Sequence, residues 1–301
     1  MTRHFGLFCT MLFASACYAQ SWVSTNGNDT GTCTRSAPCR TFQYAIEHTA
    51  AGGQINVGDA GDFGTAVITT SMTIDGGNFA ANVSPSSGYS ISIVVQAGPK
   101  DVINLRNMTL LSTGTGQTNG VAFYSGSQLI VENVKVAGFA AGISADIQTA
   151  TTPSDLVIRN SAVDNCGEAI SLASIGSNLT VEIVDTNVTS AVFGLLVYEG
   201  RVRVSGSTFS GTTNSTFGQN QSGIQLESSG FPQQVMVDNC EIAGYPNGIL
   251  LHAGTLTLSR STVAFATTGV SATAGTLITN GNNSFFGNTT DGTFTKTVAL
   301  R

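Results

Sequence analysis

Between residues 235 and 275 one pattern of apolar and polar positions is written twice: VMVDNCEIAGYPNGILLHAG is followed by TLTLSRSTVAFATTGVSATAG. Aligning the copies sets Asn239 over Arg260 and Gly248 over Gly269. Asn239 to Gly248 and Arg260 to Gly269 are steps of nine residues; Gly248 to Arg260 and Gly269 to Gly281 are steps of twelve, giving a period of 21. A fixed period of this size marks a solenoid. Each copy holds three short runs that alternate apolar and polar, VMVD, CEI and GILLH, then LTLS, STV and GVSAT. Alternation with period two belongs to a half-buried strand. Nothing between the runs has the 3.6-residue period of a helix, which excludes leucine-rich and ankyrin repeats. The pattern predicts an all-β, single-stranded parallel β-helix, right-handed by the crossover preference of parallel strands, its coils stacked about 4.8 Å apart.

The same columns extend back along the chain. Corner positions run Asn107, Asn133, Asn160, Asp185, Gly206, Asn239, Arg260 and Gly281. Asn, Asp and Gly tolerate the left-handed backbone of a tight bend, so Arg260 is expected to disturb its corner. The glycine position runs Gly120, Gly142, Ala169, Gly194, Gly223, Gly248 and Gly269, followed by inward pairs such as Ile170/Leu172 and Leu195/Val197. A second inward column, Val134, Ser161, Thr186, Ser207, Cys240 and Ser261, is small and mostly hydroxylated; its oxygens need backbone partners. Ahead of the coils, Phe42, Ala45, Ile46 and Ala50 share one face of a short helix within 38–51, expected to cap the open N-terminal end of the stack. Phe285, Phe286, Phe294 and Val298 are expected to cover the last coil. The reading is one domain over 20–301, with an N-terminal lead-in and cap over 20–53, coils over 54–280 and a C-terminal cap over 281–301.

CRTFQYAIEHTAAGGQINVGDAGDFG, then SMTIDG, then coils with Asn near one corner, resembles the right-handed parallel β-helix proteins of the pectin-lyase-like superfamily, along nearly all of the chain after residue 19. The resemblance implies the fold, not an activity, because that fold hosts lyases, hydrolases, esterases, phage spikes and adhesins. The clustered aspartates of calcium-dependent pectate lyases are missing, as are the polygalacturonase and pectin methylesterase motifs. No catalytic residue is carried over.

Composition narrows the partners. Twelve Lys and Arg stand against 18 Asp and Glu, a net charge of -6 with no basic stripe, which argues against nucleic acid or an anionic membrane surface. Arg3 and His4, a largely apolar 5–16 and small residues before Gln20 read as a signal peptide over 1–19, too short to span a bilayer. Ala14-Ser15-Ala16-Cys17 also resembles a lipoprotein signal, so anchoring at Cys17 is the alternative to free secretion or a periplasmic location. Outside the cytoplasm, Cys33 and Cys39 are a disulfide candidate, whereas Cys166 and Cys240, three coils apart, read as buried thiols. Three histidines without zinc spacing give no reason to expect a metal or cofactor, and a monomer is expected.

Candidate chemistry lies on the outward side of the first strand of each coil, because lengthened loops flank that strand at 112–119, 147–154, 174–178, 211–222 and 228–234. One outward rank there is Tyr124, Asp146, Ala173, Tyr198, Glu227, His252 and Thr273. Tyr198, Glu227 and His252, on consecutive coils, form a candidate acid/base set; Tyr124 and Asp146 are candidate sugar contacts, and Arg201 a candidate for a uronate carboxylate. The plainer alternative is that these are ordinary solvent-facing side chains, with Arg159, Arg201 and Arg203 balancing Glu132, Glu182 and Glu199. Three functions follow: binding of an extracellular polysaccharide or surface glycan; a polysaccharide lyase or, less readily, a glycoside hydrolase; or an adhesive or ice-binding solenoid with Thr257 and Thr262 exposed.

Overall fold

The computed structural model describes residues 19–77, 79, 81–83, 91–112, 119–147, 152–174, 178–211 and 221–299. The signal segment therefore lies outside the described residues except at Ala19, as do the interiors of the flanking loops at 113–118, 148–151, 175–177 and 212–220.

The chain is a right-handed parallel β-solenoid. First strands of successive coils form a ten-stranded sheet that includes Ala141–Ile147, Glu168–Ser174, Phe193–Val197, Ser222–Leu226, Asn247–Leu251 and Thr268–Ala272. Second and third strands form the other walls and join into one twenty-stranded array, since Val102–Leu111 and Gln128–Ala137 each run through a corner without interruption. Every strand pairing is parallel, and in the C-terminal coils the partners Gln234, Thr255 and Thr276 recur at the 21-residue interval. The column Ile143, Ile170, Leu195, Ile224, Ile249 and Val270 follows directly from these registers and is buried throughout. At about 25 cal/mol per Å² of apolar area, such columns hold one coil on the next.

Gly194 shows why its column is small. A Cβ there would lie 2.5 Å from the Gly223 carbonyl oxygen and 2.8 Å from Phe209 Cδ1, so the first strand could not sit so close to the coil above. The hydroxyl column closes its own accounts. Ser161 Oγ–H donates to the Arg159 carbonyl at 2.9 Å and accepts from the Val134 N–H at 3.2 Å; Ser207 and Ser261 repeat both bonds on their own coils. Each buried oxygen thus stitches a corner to the preceding coil.

All eight corner positions have positive φ, from 48° at Asp185 and Arg260 to 79° at Gly281. Arg260 does not disturb its corner, contrary to expectation. Its guanidinium binds the Asp238 carboxylate, with Nε at 2.9 Å from Oδ1, and its N–H donates to Asn282 Oδ1 at 3.0 Å. These bonds offset the left-handed strain of a residue with a Cβ.

The expected helical cap is not supported. Among the described residues only Phe42–Glu47 is helical, and Phe42, Ala45 and Ile46 bury themselves against the strands Gln20–Val23, Gly53–Val57 and Ala66–Ile68. What extends the stack is a strand: Gln20–Val23 pairs in parallel with Gly53–Val57, supplying backbone partners that a helix side cannot offer. Cys33 and Cys39 are disulfide-bonded beside it, while Cys166 and Cys240 are free, buried thiols. At the other end Phe285 and Phe294 pack on the core with ring centroids 5.9 Å apart, whereas Phe286 and Val298 are exposed. No described helix is long and apolar enough to cross a membrane.

Three aspartates tie coils together and set an acid sensitivity. Asp101 accepts Ser71 Oγ–H at 2.6 Å and the N–H groups of Ser71 and Gly98, which hold its carboxyl below the usual range. Arg260 does the same for Asp238. Burial pushes Asp75 upward, but bonds from the Asn107 amide and Gly77 N–H, with the Arg106 charge, lower it on balance. Folded values below the unfolded one mean stability that is complete above about pH 4 and lost as the pH falls further. The urea midpoint should hold steady from neutrality down to about pH 5 and then decline. A midpoint that climbs on acidification would contradict this assignment.

Candidate functional site

On the outward side of the ten-stranded sheet the pairings line up three ranks. The middle one contains Ala122, Ser144, Ser171, Leu196, Gln225 and Leu250. Beyond it runs the rank of the candidate residues. Asp146 pairs with Ala173, and the N–H groups of Tyr198, Glu227, His252 and Thr273 donate to Leu172, Val197, Leu226 and Leu251 at 2.8–2.9 Å. Tyr198, Glu227 and His252 therefore occupy one rank on consecutive coils, and Tyr124 and Asp146 lead into it. Tyr124, Asp146, Tyr198, Glu227 and His252 are all half-exposed.

Their side-chain bonds differ from those the spacing suggested. Glu227 does not orient His252; its Oε1 accepts from Gln225 Nε2. His252 Nδ1 lies 2.9 Å from Thr273 Oγ1, whose hydroxyl hydrogen goes to the Leu251 carbonyl at 3.2 Å. In the arrangement where the Thr273 hydroxyl donates to Leu251, Nδ1–H donates to Thr273 and the lone pair of a neutral ring is on Nε2. Burial pushes the Tyr198 phenol up, and the charges of Glu168 and Glu227 push it further. The phenol holds its proton and can only give it to a stronger base.

Arg201 is not brought to this rank. It follows Gly200, where φ is 106°, and lies on the strand Gly200–Ser205 of the other array, opposite Thr180 and Gln234. Arg159 pairs with Glu132 at 3.0 Å, and Arg203 faces Glu182 in register. Glu199 balances no arginine: it is fully buried and neither carboxylate oxygen has a partner.

Sequence reasoning passed over the middle rank. Leu196, Gln225 and Ala122 face away from the interior yet are buried, as is Ser222 one rank earlier. The middle of the face is therefore screened from solvent, a recess bordered by the half-exposed rank of Tyr198, Glu227 and His252. Gln225 Oε1 and Ser222 Oγ lie in the recess without hydrogen-bond partners. Only their alternate position in the repeat hinted at them, because burial of an outward residue depends on segments outside the repeat.

The arrangement belongs to a fold already seen elsewhere. The crystal structure of the GH136 lacto-N-biosidase from Eubacterium ramulus superposes with a TM-score of 0.51 and 11% identity, over 94% of this chain and 67% of that one. The Azotobacter vinelandii mannuronan C-5 epimerase AlgE4 A-module gives 0.42 and 12%, over 86% of this chain and 93% of that one. The likeness is one of fold. No protein-family model and no curated protein matches the sequence.

Proposed function

We propose that the protein is exported through residues 1–19 and binds an extracellular polysaccharide or cell-surface glycan in the recess of the ten-stranded sheet. The observation that carries this reading is the half-exposed rank of Tyr198, Glu227 and His252 on consecutive coils, beside the screened Gln225 and Ser222. Coils about 4.8 Å apart repeat at close to the length of one pyranose, so Tyr124, Asp146, Tyr198, Glu227 and His252 present successive contacts to an extended chain. Tyr124 and Tyr198 offer ring faces, and the carboxylates accept sugar hydroxyls. A fold neighbour that is a lacto-N-biosidase is in keeping with this ligand class. On a glycan array the protein should bind a defined set of oligosaccharides, and Gln225→Ala and Tyr198→Ala should each weaken that binding about tenfold. An array without signal, or affinity indifferent to both changes, would sink the reading.

One observation favours a second reading, a lyase. In the tautomer that donates from Nδ1 to Thr273, His252 has its lone pair on Nε2, and Tyr198 keeps its proton, which is the division of labour an elimination needs. His252 would take the proton beside a uronate carboxylate, the ring-to-oxygen bond at the adjacent linkage would break as the double bond forms, and Tyr198 would protonate the departing oxygen. Hydrolysis is less well served, because Asp146 and Glu227 lie three coils apart, about 14 Å, beyond the roughly 6.5–9.5 Å of an inverting pair. A screen of uronate polymers for unsaturated, ultraviolet-absorbing products separates the two readings. Binding without turnover selects the first.

A further inference from the structure

Away from the ten-stranded sheet, a groove of about 600 Å³ runs along the outer corner between second and third strands. One edge is the rank Asn107, Asn133, Asn160 and Asp185, whose φ values of 48–56° turn four polar side chains out of the stack at successive coils. Asn133 Nδ2 donates to Asn107 Oδ1 at 2.8 Å, and Asn107 Nδ2 to Asp75 Oδ1 at 2.8 Å, so the amides form a chain with a fixed direction. The facing rank pairs Lys135 with Ala162 and Ala162 with Asn187. A methyl group between two long side chains makes the floor. Exposed Phe79 closes the end nearer the N terminus. Lys135 is exposed and forms no ion pair among the described residues, unlike Arg106, Arg159 and Arg260.

We propose that this corner groove is a second glycan site, independent of the recess, and that it takes a carboxylated sugar chain. The Lys135 ammonium receives the carboxylate. Amides of Asn133, Asn160 and Asn187 meet ring hydroxyls, Ala162 leaves room for a pyranose, and Phe79 offers a ring face at the end. Asp185, two coils from Lys135, repels a carboxylate at its own end and so sets the direction in which the chain lies. A chain seated here leaves the Tyr198 face open, so one protein molecule can hold two strands of a polymer.

The test is calorimetric titration of the full chain with tri-galacturonate and, separately, with cellotriose. Lys135→Gln should weaken tri-galacturonate about tenfold and leave cellotriose unchanged, with the salt dependence of the acidic ligand reduced. Ala162→Trp, whose indole fills the floor, should remove groove binding of either sugar, while circular dichroism stays that of the parent. Tyr198→Ala should leave the groove component intact, which separates this site from the recess. The proposal is overturned if tri-galacturonate does not bind, or binds equally well to Lys135→Gln and Ala162→Trp. Loss caused by Tyr198→Ala alone would likewise assign all binding to the recess.

Discussion

Phe209→Ala is expected to lower the stability of the fold by about 3–5 kcal/mol. Phe209 is fully buried on the strand Thr208–Ser210, between Val188 on one coil and Ile242 on the next. Its ring abuts Gly194, and Tyr245 packs against the same glycine from further up the stack. Truncation leaves a void that neighbours cannot fill, because every strand bordering it is fixed by hydrogen bonds to the coils on both sides. Urea unfolding followed by circular dichroism gives the number directly. A loss below about 1 kcal/mol would mean that the coils collapse into the space, against the rigidity argued here.

The second large effect has the opposite sign. Glu199→Leu should stabilise the protein by about 1–3 kcal/mol, because Glu199 is fully buried with both oxygens unpartnered. Two residues earlier, Val197 pairs with Leu172 on the preceding coil, and Ser174, two residues beyond Leu172, also has a buried Oγ without a partner. Leucine removes a desolvated polar group and restores the apolar character that Ile147 gives the same column. Thermal unfolding of the two proteins decides the matter. A lower melting temperature for Glu199→Leu would overturn this prediction.

Much of the fold was legible because it is periodic. Ile170, Leu195 and Ile249 could be stacked on paper, and the rank of Tyr198, Glu227 and His252 followed from the same register, since alternation in a strand fixes the face once one residue is placed. The Ser161–Ser207–Ser261 bonds were legible for a different reason: a buried hydroxyl must find a backbone partner. Features that depend on one coil alone were less accessible. The apolar face of residues 42–50 suggested a cap, but Gln20–Val23 satisfies the stack end with backbone bonds that no apolar pattern announces. Arg260 looked like a defect until Asp238 was found within reach. Glu227 and His252 stand on consecutive coils but bond to Gln225 and Thr273, because rotamers choose partners after the backbone is set. Arg201 lies past the turn at Gly200, in the second-strand rank of Thr180, Gln234 and Thr255, away from the outward face of the first strands.

The constant interval between Gln234, Thr255 and Thr276 means that the last coils are interchangeable parts. Excising one whole interval there would join two points with the same torsions and the same neighbours, shortening the body by about 4.8 Å without bending it. Upstream the interval occurs once, between Thr180 and Arg201, and is then broken between Arg201 and Gln234. Length in this molecule can thus be tuned by one step at the C-terminal end: removing 255–275 spares His252 and the corner groove, whereas removing 234–254 takes His252 with it.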